Sequence, residues 1–516
     1  ISYANCGLPY YIGDTIKERD KLFVQTAASF SKRFNIDVRV NTLVNSIDPD
    51  SKTVVATDLI NNTRYELSYD KLVLSPGAEP LRPPLPGANL EGIFTLRNVP
   101  DTDAIKTFAS SPGVKKAVVV GAGFIGLEMA ENFHQLGLEV SIVEMGGQVM
   151  APADFPIAAM VQAHLTAKHI SIHLNTAVTS FSRNNERLSV VLSNGEVLDA
   201  DIVLLSIGVR PETRLAAEAG LSIGLAKGIQ VNEYLQTSNP DIYAVGDAIE
   251  FLHPLTGQPA LTFLAGPANK QGRICANNMV RGNREKYGGS IGTAIVKVFD
   301  MTVGVTGASA KLLQRAGIPH IVSTTHSGSH AGYYPGARNM SIELMFSPGD
   351  GRILGAQVAG YEGVDKRLDI LSAFIQMGKT VYDLAAFEQA YAPPYSSAKD
   401  PVNMAGFVAE NILDGQLKIF YWDELKAIQE GDVLVDVRRT DEFEAGHIHG
   451  AINIPVDELR ERMGELDPNQ TIYIYCEAGL RGYLAQRILR QHGFNNVLNL
   501  SGGYQLWRTC EAAIKG

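Results

Sequence analysis

The sequence predicts an α/β protein of several domains: two doubly wound nucleotide-binding units, an α+β domain and a small α/β domain at the C-terminus. Three observations carry this expectation. At 516 residues the chain is too long for one hydrophobic core. A strand, a Gly-x-Gly-x-x-Gly turn, a helix and a second strand follow one another over residues 117–145. The texture changes after residue 291 to short alternating strands with helices, and again after Tyr421 to alternating strand and helix. The expected boundaries are 1–112 and 236–290 for a divided first nucleotide domain and 113–235 for an inserted second one. The α+β domain takes 291–415 and the last domain 416–516, with residues near 416–421 as the linker.

Composition narrows the class. The chain is 45% hydrophobic and 19% charged, as in ordinary globular proteins. A net charge of −10 gives no reason to expect nucleic acid or a bilayer as partner. There is no apolar run of about 18 residues and no signal-peptide pattern. Four cysteines (Cys6, Cys275, Cys476 and Cys510) are too few for a disulfide scaffold, and none forms a CxxC pair. No metal site is expected, and a reducing cytoplasm is the expected compartment.

Ala117–Val120 reads as a buried parallel strand. Gly121, Gly123 and Gly126, with Phe124 and Ile125 between them, open the following helix, where backbone N–H groups meet a pyrophosphate. Glu144 ends the next strand and can accept from both ribose hydroxyls, so a 2′-phosphate would meet like charge and NADH is favoured over NADPH. Glu128, on the same helix, is placed toward the nicotinamide. Upstream, the strand Lys71–Leu74 stops at Ser75-Pro76-Gly77, and a Pro-rich crossing follows at 80–88. Downstream, Ile202–Ile207 runs into Gly208. The strand within Thr237–Asp247 ends in Gly246-Asp247, a carboxylate at a sheet edge suited to a sugar-like chain or to capping the next helix.

Cys6 lies in a turn before a helix, in Asn5-Cys6-Gly7-Leu8-Pro9-Tyr10-Tyr11, where backbone dipoles are expected to favour a thiolate. An inert core cysteine is the bland alternative. With no second cysteine nearby, its oxidised form must be a sulfenate, mixed disulfide or persulfide. Near the other end, the strand Ile472–Tyr475 delivers Cys476 into Glu477-Ala478-Gly479-Leu480-Arg481 and then a helix. That arrangement places a sulfur anion in a cradle of backbone N–H groups. Cys275 is expected in the core. Cys510 lies in the terminal helix, with a resolving-thiol role as its minor alternative, and His447 is expected to order a loop.

The order of Ser75-Pro76-Gly77-Ala78, Gly121–Gly126, Ser206–Pro211 and Thr237–Asp247 resembles the pyridine nucleotide-disulfide oxidoreductase family over about residues 1–415. Residues 421–511 resemble the rhodanese family. The resemblances imply two Rossmann-like nucleotide-binding domains (FAD, then NADH), an α+β dimerisation domain and a C-terminal rhodanese-like α/β domain. They imply FAD at Ser75, Pro76, Gly77, Gly246 and Asp247, and NADH at the Gly121 turn. The family's N-terminal glycine-rich βαβ unit is expected to precede Ile1.

The Cys6 segment is similar to that of coenzyme A-disulfide reductases, whereas related NADH oxidases and peroxidases use the lone cysteine as a sulfenate. Tyr395 in Tyr391–Pro401 favours the reductases. In that group two tyrosines reach the cysteine from the partner subunit of a homodimer. Candidates here are Tyr391 or Tyr395, with Tyr333 or Tyr334, and about half of the four are expected to be core residues instead. Ser2 and Asn5 would border a coenzyme A channel, with coenzyme A as substrate or bound carrier. Arg481 gives C-x4-R rather than the C-x5-R of phosphatase-like relatives, which favours sulfane sulfur over phosphate.

The function expected is NADH-driven, FAD-dependent reduction of persulfide, polysulfide or coenzyme A disulfide through Cys6, with Cys476 carrying sulfane sulfur. The alternatives are an NADH oxidase or peroxidase, and a sulfurtransferase whose flavin half is regulatory.

Overall fold

The computed structural model describes residues 2–184, 187–429 and 431–515. The chain forms two compact units, one of residues 1–147 and 170–292, the other of 148–169 and 293–516.

In the first unit Lys116–Val120 is central in a five-stranded sheet. It is flanked in parallel by Glu139–Val143 and Ile202–Leu205. Val118, Val120, Val143, Val203 and Leu205 are buried against Phe181, Val190 and Leu192 of an antiparallel three-stranded sheet. Strands covered on both faces are expected to read as continuous apolar runs, and these do. A second parallel pairing joins Leu72–Leu74 to Ile242–Ala244 and brings the turns at Ser75 and Gly246 side by side. Cys275 is buried in the core beneath that pair, as expected.

In the second unit an antiparallel five-stranded sheet runs in the order Ala294–Val298, Met301–Gly307, Ile353–Gly360, Asn339–Phe346, Ile321–Gly328. Alternation is expected for these strands, but Ile353–Gly360 is buried throughout and Asn339–Phe346 at all but its first residue. Helices Val364–Gln376, Pro401–Leu413 and Phe155–Ala167 all pack on them, which removes the wet face that alternation needs.

The C-terminal sheet is parallel, with Ile472–Tyr475 between Val497–Leu500 and Val433–Asp436. Its outer strand corrects one expectation. Ile419–Phe420 lies within the stretch read as a linker, yet it pairs with Val497–Leu500. Two apolar residues are too few to show a period of two. Helix Phe155–Ala167, which follows the nucleotide motif in sequence, packs on the terminal helix Gly503–Lys515. Ala159, Leu506 and Cys510 form that contact, and Phe155 stacks on Trp422 at 5.4 Å. No helix among the described residues is long and apolar enough to cross a membrane.

Candidate active site

Cys6 is the exposed cysteine of the four. A short pairing of Ser2–Tyr3 with Phe23–Gln25 anchors the segment. A single 3-10 turn, Asn5–Gly7, then leads into the helix Leu8–Ile12, with Pro9 in its first turn where no N–H is needed. Ser2 and Asn5 are exposed on either side of this start. The short helix packs on Phe124–Gln135, the helix of the glycine motif. There the Tyr10 hydroxyl donates to Glu128 Oε1 at 3.3 Å.

The electrostatics correct the expectation of a thiolate favoured by backbone dipoles. Desolvation, then Glu128, and more weakly Asp247 push the Cys6 thiol above its ordinary value, against one backbone hydrogen bond that lowers it. Burial likewise raises the Glu128 carboxyl to about 7 and the Tyr10 phenol to about 12. Asp247 is raised by burial and lowered by Arg97. The local turn supplies only a dipole, whereas the fold adds two carboxylates from distant motifs. Tyr10 lies in the Cys6 motif but its partner Glu128 is 118 positions away, and Arg97 belongs to no motif, so the sequence marked neither role.

Around the glycine turn, Gly121 has φ 102°, and a Cβ there would strike the Ser206 carbonyl. A Cβ on Gly126 would strike the Gly121 carbonyl, whereas Gly123 faces open space at the start of the helix beside Phe124 and Ile125. Glu144 has a second engagement: Oε2 accepts from Ala122 N–H at 2.8 Å and Oε1 from Gly146 N–H at 2.7 Å. A carboxylate has lone pairs left for ribose hydroxyls after both bonds. Gly208 accepts from Leu81 N–H at 2.9 Å and lies three residues past the end of the strand Ile202–Leu205, just before Val209–Pro211. Ser75 and Pro76 are exposed, and Gly77 (φ 76°) has Arg97 beside it. Gly246 donates its N–H to Gln271 at 2.7 Å.

In the second unit the tyrosines gather. The Tyr333 and Tyr391 hydroxyls lie 2.6 Å apart, and Tyr334 meets His330 edge-on. Exposures are 76% for Tyr333, 43% for Tyr334, 48% for Tyr391 and 73% for Tyr395, so the expectation that about half are core residues fails. They sit on loops, outside the helices and strands of the unit. A cavity of about 480 Å³ opens here, lined by Ser329, His330, Lys366, Arg367, Tyr391 and Tyr395 among others. Arg367 is fully buried and bonds Asp400 at 2.7 Å and the Ser329 carbonyl at 2.9 Å, tying both tyrosine loops to one point. Asp400 in turn accepts from Ser396 and caps the helix Pro401–Leu413.

Cys476 is buried at the end of its strand. Gly479 N–H donates to Sγ at 3.1 Å, with Gly479 at φ 116° closing the turn into the helix Leu480–Gln491. Gly503, against whose Cβ position the Cys476 and Glu477 carbonyls lie, lets the next turn approach closely. Arg481 forms a two-point pair with Glu442, at 2.6 and 2.8 Å, within electrostatic reach of Cys476. Arg438, buried, pairs with Asp436 at 2.7 Å and Glu477 at 3.2 Å and lies over the Tyr504 ring. His447 bonds the Phe443 carbonyl at 3.0 Å and stacks on its ring. Cys510 is buried, and burial drives its thiol far up, which removes it as a resolving thiol.

Comparison with known proteins decides the family. The pyridine nucleotide-disulphide oxidoreductase family matches residues 1–268, its dimerisation domain 293–401, and the rhodanese-like domain 422–510. The chain belongs to the pyridine nucleotide-disulphide oxidoreductase family. It is therefore an oxidoreductase with a rhodanese-like domain at its C-terminal end.

Among relatives in this family, a coenzyme A disulfide reductase of Staphylococcus haemolyticus is 35% identical over 417 residues, covering 80% of this chain and 92% of that protein. An NADH oxidase of Methanocaldococcus jannaschii is 36% identical, over 78% of this chain and 90% of its own. Reduced CoADR-RHD of Bacillus anthracis superposes with TM-score 0.97 at 46% identity, covering 99% of this chain and 92% of that one. An NAD-dependent persulfide reductase from A. fulgidus gives TM-score 0.91 at 38% identity, over 98% and 93% of the two chains.

Proposed function

We propose that the protein reduces disulfide and persulfide bonds of small thiol carriers, coenzyme A among them, with electrons from NADH passed through FAD to Cys6. Cys476 carries sulfane sulfur. One observation supports this above the rest: the exposed cysteine is coupled electrostatically to Glu128 of the glycine-motif helix and to Asp247 of the adjoining turn. A thiol between those two motifs is where electrons from a nicotinamide and a flavin would converge.

The residues present fit both cofactors. Ser75, Pro76, Gly77, Gly246 and Asp247 would hold FAD, on neighbouring turns at the carboxyl ends of two paired strands. Gly121, Gly123, Gly126, Phe124, Ile125 and Glu144 would hold NADH, in the open space left at Gly123, with Gly208 in the turn that follows the adjacent strand. The bound flavin supplies two-electron transfer from nicotinamide to sulfur.

The chain's own groups do the rest. Cys6 attacks the outer sulfur of the substrate and becomes part of a mixed disulfide or persulfide. In a homodimer, Tyr333, Tyr334, Tyr391 and Tyr395 of the partner subunit give phenols that protonate the departing sulfur. Ser2 and Asn5 border the path by which coenzyme A enters. At the rhodanese-like site, the Gly479 N–H and Arg481 stabilise a sulfur anion on Cys476. Free cysteines throughout suit a reducing cytoplasm.

The test is anaerobic NADH consumption with coenzyme A disulfide, coenzyme A persulfide and peroxide, on wild type, Cys6→Ser and Cys476→Ser. Cys6→Ser should lower disulfide and persulfide turnover by roughly a thousandfold or more. Full persulfide turnover in Cys6→Ser would overturn the proposal. Turnover with peroxide alone would favour the oxidase or peroxidase reading that the lone cysteine also permits.

A further inference from the structure

The groups that touch Cys476 belong to its own domain, but part of what holds its loop in place reaches in from the dimerisation sheet. Ile321–Gly328 is an edge strand of that sheet, with Asn339–Phe346 as its neighbour. Successive N–H groups of a strand point to opposite edges, so every second one here is left for another partner. The C-terminal domain supplies those partners. Val322 N–H donates to the Tyr421 hydroxyl at 3.3 Å, and Thr324 N–H donates to Ser501 Oγ at 3.1 Å. Two residues further on the side chain takes over, and His326 Nε2 meets the Gly502 carbonyl at 3.0 Å.

The surroundings of that last bond fix its roles. A carbonyl can only accept, so Nε2 carries the hydrogen. Nδ1 then accepts from the hydroxyl of Ser341, its cross-strand partner, at 2.8 Å. Desolvation lowers the ring's pKa well below its ordinary value, to about 4, so this neutral tautomer persists near neutral pH. The ring is gripped at both nitrogens.

Gly502 and Gly503 form the turn that receives it, with φ 75° and 62°. The helix Gly503–Lys515 starts there, and its first N–H groups have no partner within the helix. Tyr504 N–H donates to the Cys476 carbonyl at 2.8 Å, and Gln505 N–H to the Glu477 carbonyl at 3.0 Å. The backbone that carries the sulfur therefore rests on the turn that His326 holds. Gly479 N–H reaches Sγ from the other end of the same loop. Such a bond weakens steeply when its angle is lost, so a drifting loop would lose it.

We propose that His326 is a positioning residue for Cys476: by fixing the Gly502 carbonyl it holds the cysteine loop where Gly479 N–H stabilises a sulfur anion. The inference rests on the sulfur-carrying role proposed for Cys476. In that role the Cys476 thiolate attacks the terminal sulfur of a polysulfide. The polysulfide S–S bond breaks, its electron pair leaves on the shortened chain, and no electrons are gained or lost overall.

The test uses the full-length, flavin-loaded protein in a Cys6→Ser background, treated with inorganic polysulfide. Sulfur uptake is followed by mass spectrometry of the Cys476 peptide. His326→Ala should slow uptake at saturating polysulfide roughly tenfold, with the half-saturating concentration within about twofold of the parent. It should also move the pH profile of Cys476 alkylation by iodoacetamide upward by about one unit. His326→Gln, whose amide N–H can replace Nε2–H, should restore most of both. With Cys6 intact, NADH-driven reduction of coenzyme A disulfide should be unchanged in either variant.

Ser341→Ala frees the ring without touching the turn, and should give a loss of the same kind, about threefold. A folded His326→Ala protein with the parent's uptake and alkylation profile overturns the inference, as does an equal fall in coenzyme A disulfide reduction. Should His326→Ala fail to fold, an unmoved alkylation profile in Ser341→Ala overturns it instead. All of these leave the carrier role of Cys476 standing. A parent protein whose Cys476 takes up no sulfur overturns that role itself.

Discussion

Cys6 is exposed and faces the carboxylates Glu128 and Asp247, whereas Cys476 is 2% exposed and accepts an N–H from Gly479 with Arg481 and Arg438 nearby. The surroundings of Cys476 come from one small domain: a strand end, a helix start and cations fixed by Glu442, Asp436 and Glu477. Those of Cys6 come from segments more than a hundred residues apart. A sulfur anion at Cys476 is supported by groups that are permanently positive or permanently dipolar. One at Cys6 is opposed by burial and by two carboxyl groups. The first arrangement suits holding a sulfur anion; the second disfavours a lasting one, which suits exchange.

The largest test of this contrast exchanges the losses. Cys6→Ser should abolish NADH-driven reduction, while Cys476→Ser should leave coenzyme A disulfide reduction within about twofold of the parent and remove only sulfane loading, read by mass spectrometry of the isolated protein. The next effect is on stability. Asp436→Ala strands the buried Arg438 guanidinium without its main partner, and should destabilise the C-terminal domain by about 3 kcal/mol in denaturant unfolding. Smaller still is Arg481→Ala, expected to slow sulfur loading of Cys476 by roughly tenfold to a hundredfold and to leave Cys6 alkylation unchanged. If Arg481→Ala altered both cysteines, the view of Cys476 as self-contained would be wrong.

How much of this could be read in the sequence follows the same contrast. The Gly121 turn and the Cys476 loop are local: a few glycines and a cysteine at fixed spacing announce a strand-to-helix turn, and the fold forms it there. The Tyr10–Glu128 bond spans 118 positions, and no periodicity in either helix marks it. The same holds for Arg367, whose reach to Ser329 and Asp400 orders the tyrosine loops from a helix between them. The packing of helix Phe155–Ala167 was not legible for another reason. It is apolar nearly all round, so its sequence says that it is buried but not against which sheet. The reversal at Cys6 is the most instructive case, since a helix start favours a thiolate only until the tertiary fold brings two carboxylates to it.

The second unit holds another carboxyl group that burial raises, to set beside Glu128. Glu343 is buried on the inner strand Asn339–Phe346, near Asp154, Lys311 and Tyr421, and contributes to raising the Cys510 thiol. This is again a carboxyl group acting on a thiol, but both are enclosed, so the consequence should appear in stability and not in reactivity. Burial raises Glu343 from 4.5 to about 8. A carboxyl raised in the folded state adds stability that is complete below its unfolded pKa and is lost as pH climbs toward the folded one. Unfolding free energy should therefore fall between about pH 4.5 and about pH 8 through this group. Glu343→Gln should flatten that fall, so that if it matches the parent near pH 5 it exceeds it by about 4 kcal/mol near pH 8.5. Cys510 alkylation should remain negligible in both proteins, since the barrier there is enclosure. A Glu343→Gln protein whose stability still declined across that range would show that the carboxyl is ionised within the fold, and that enclosure alone does not separate it from Glu128.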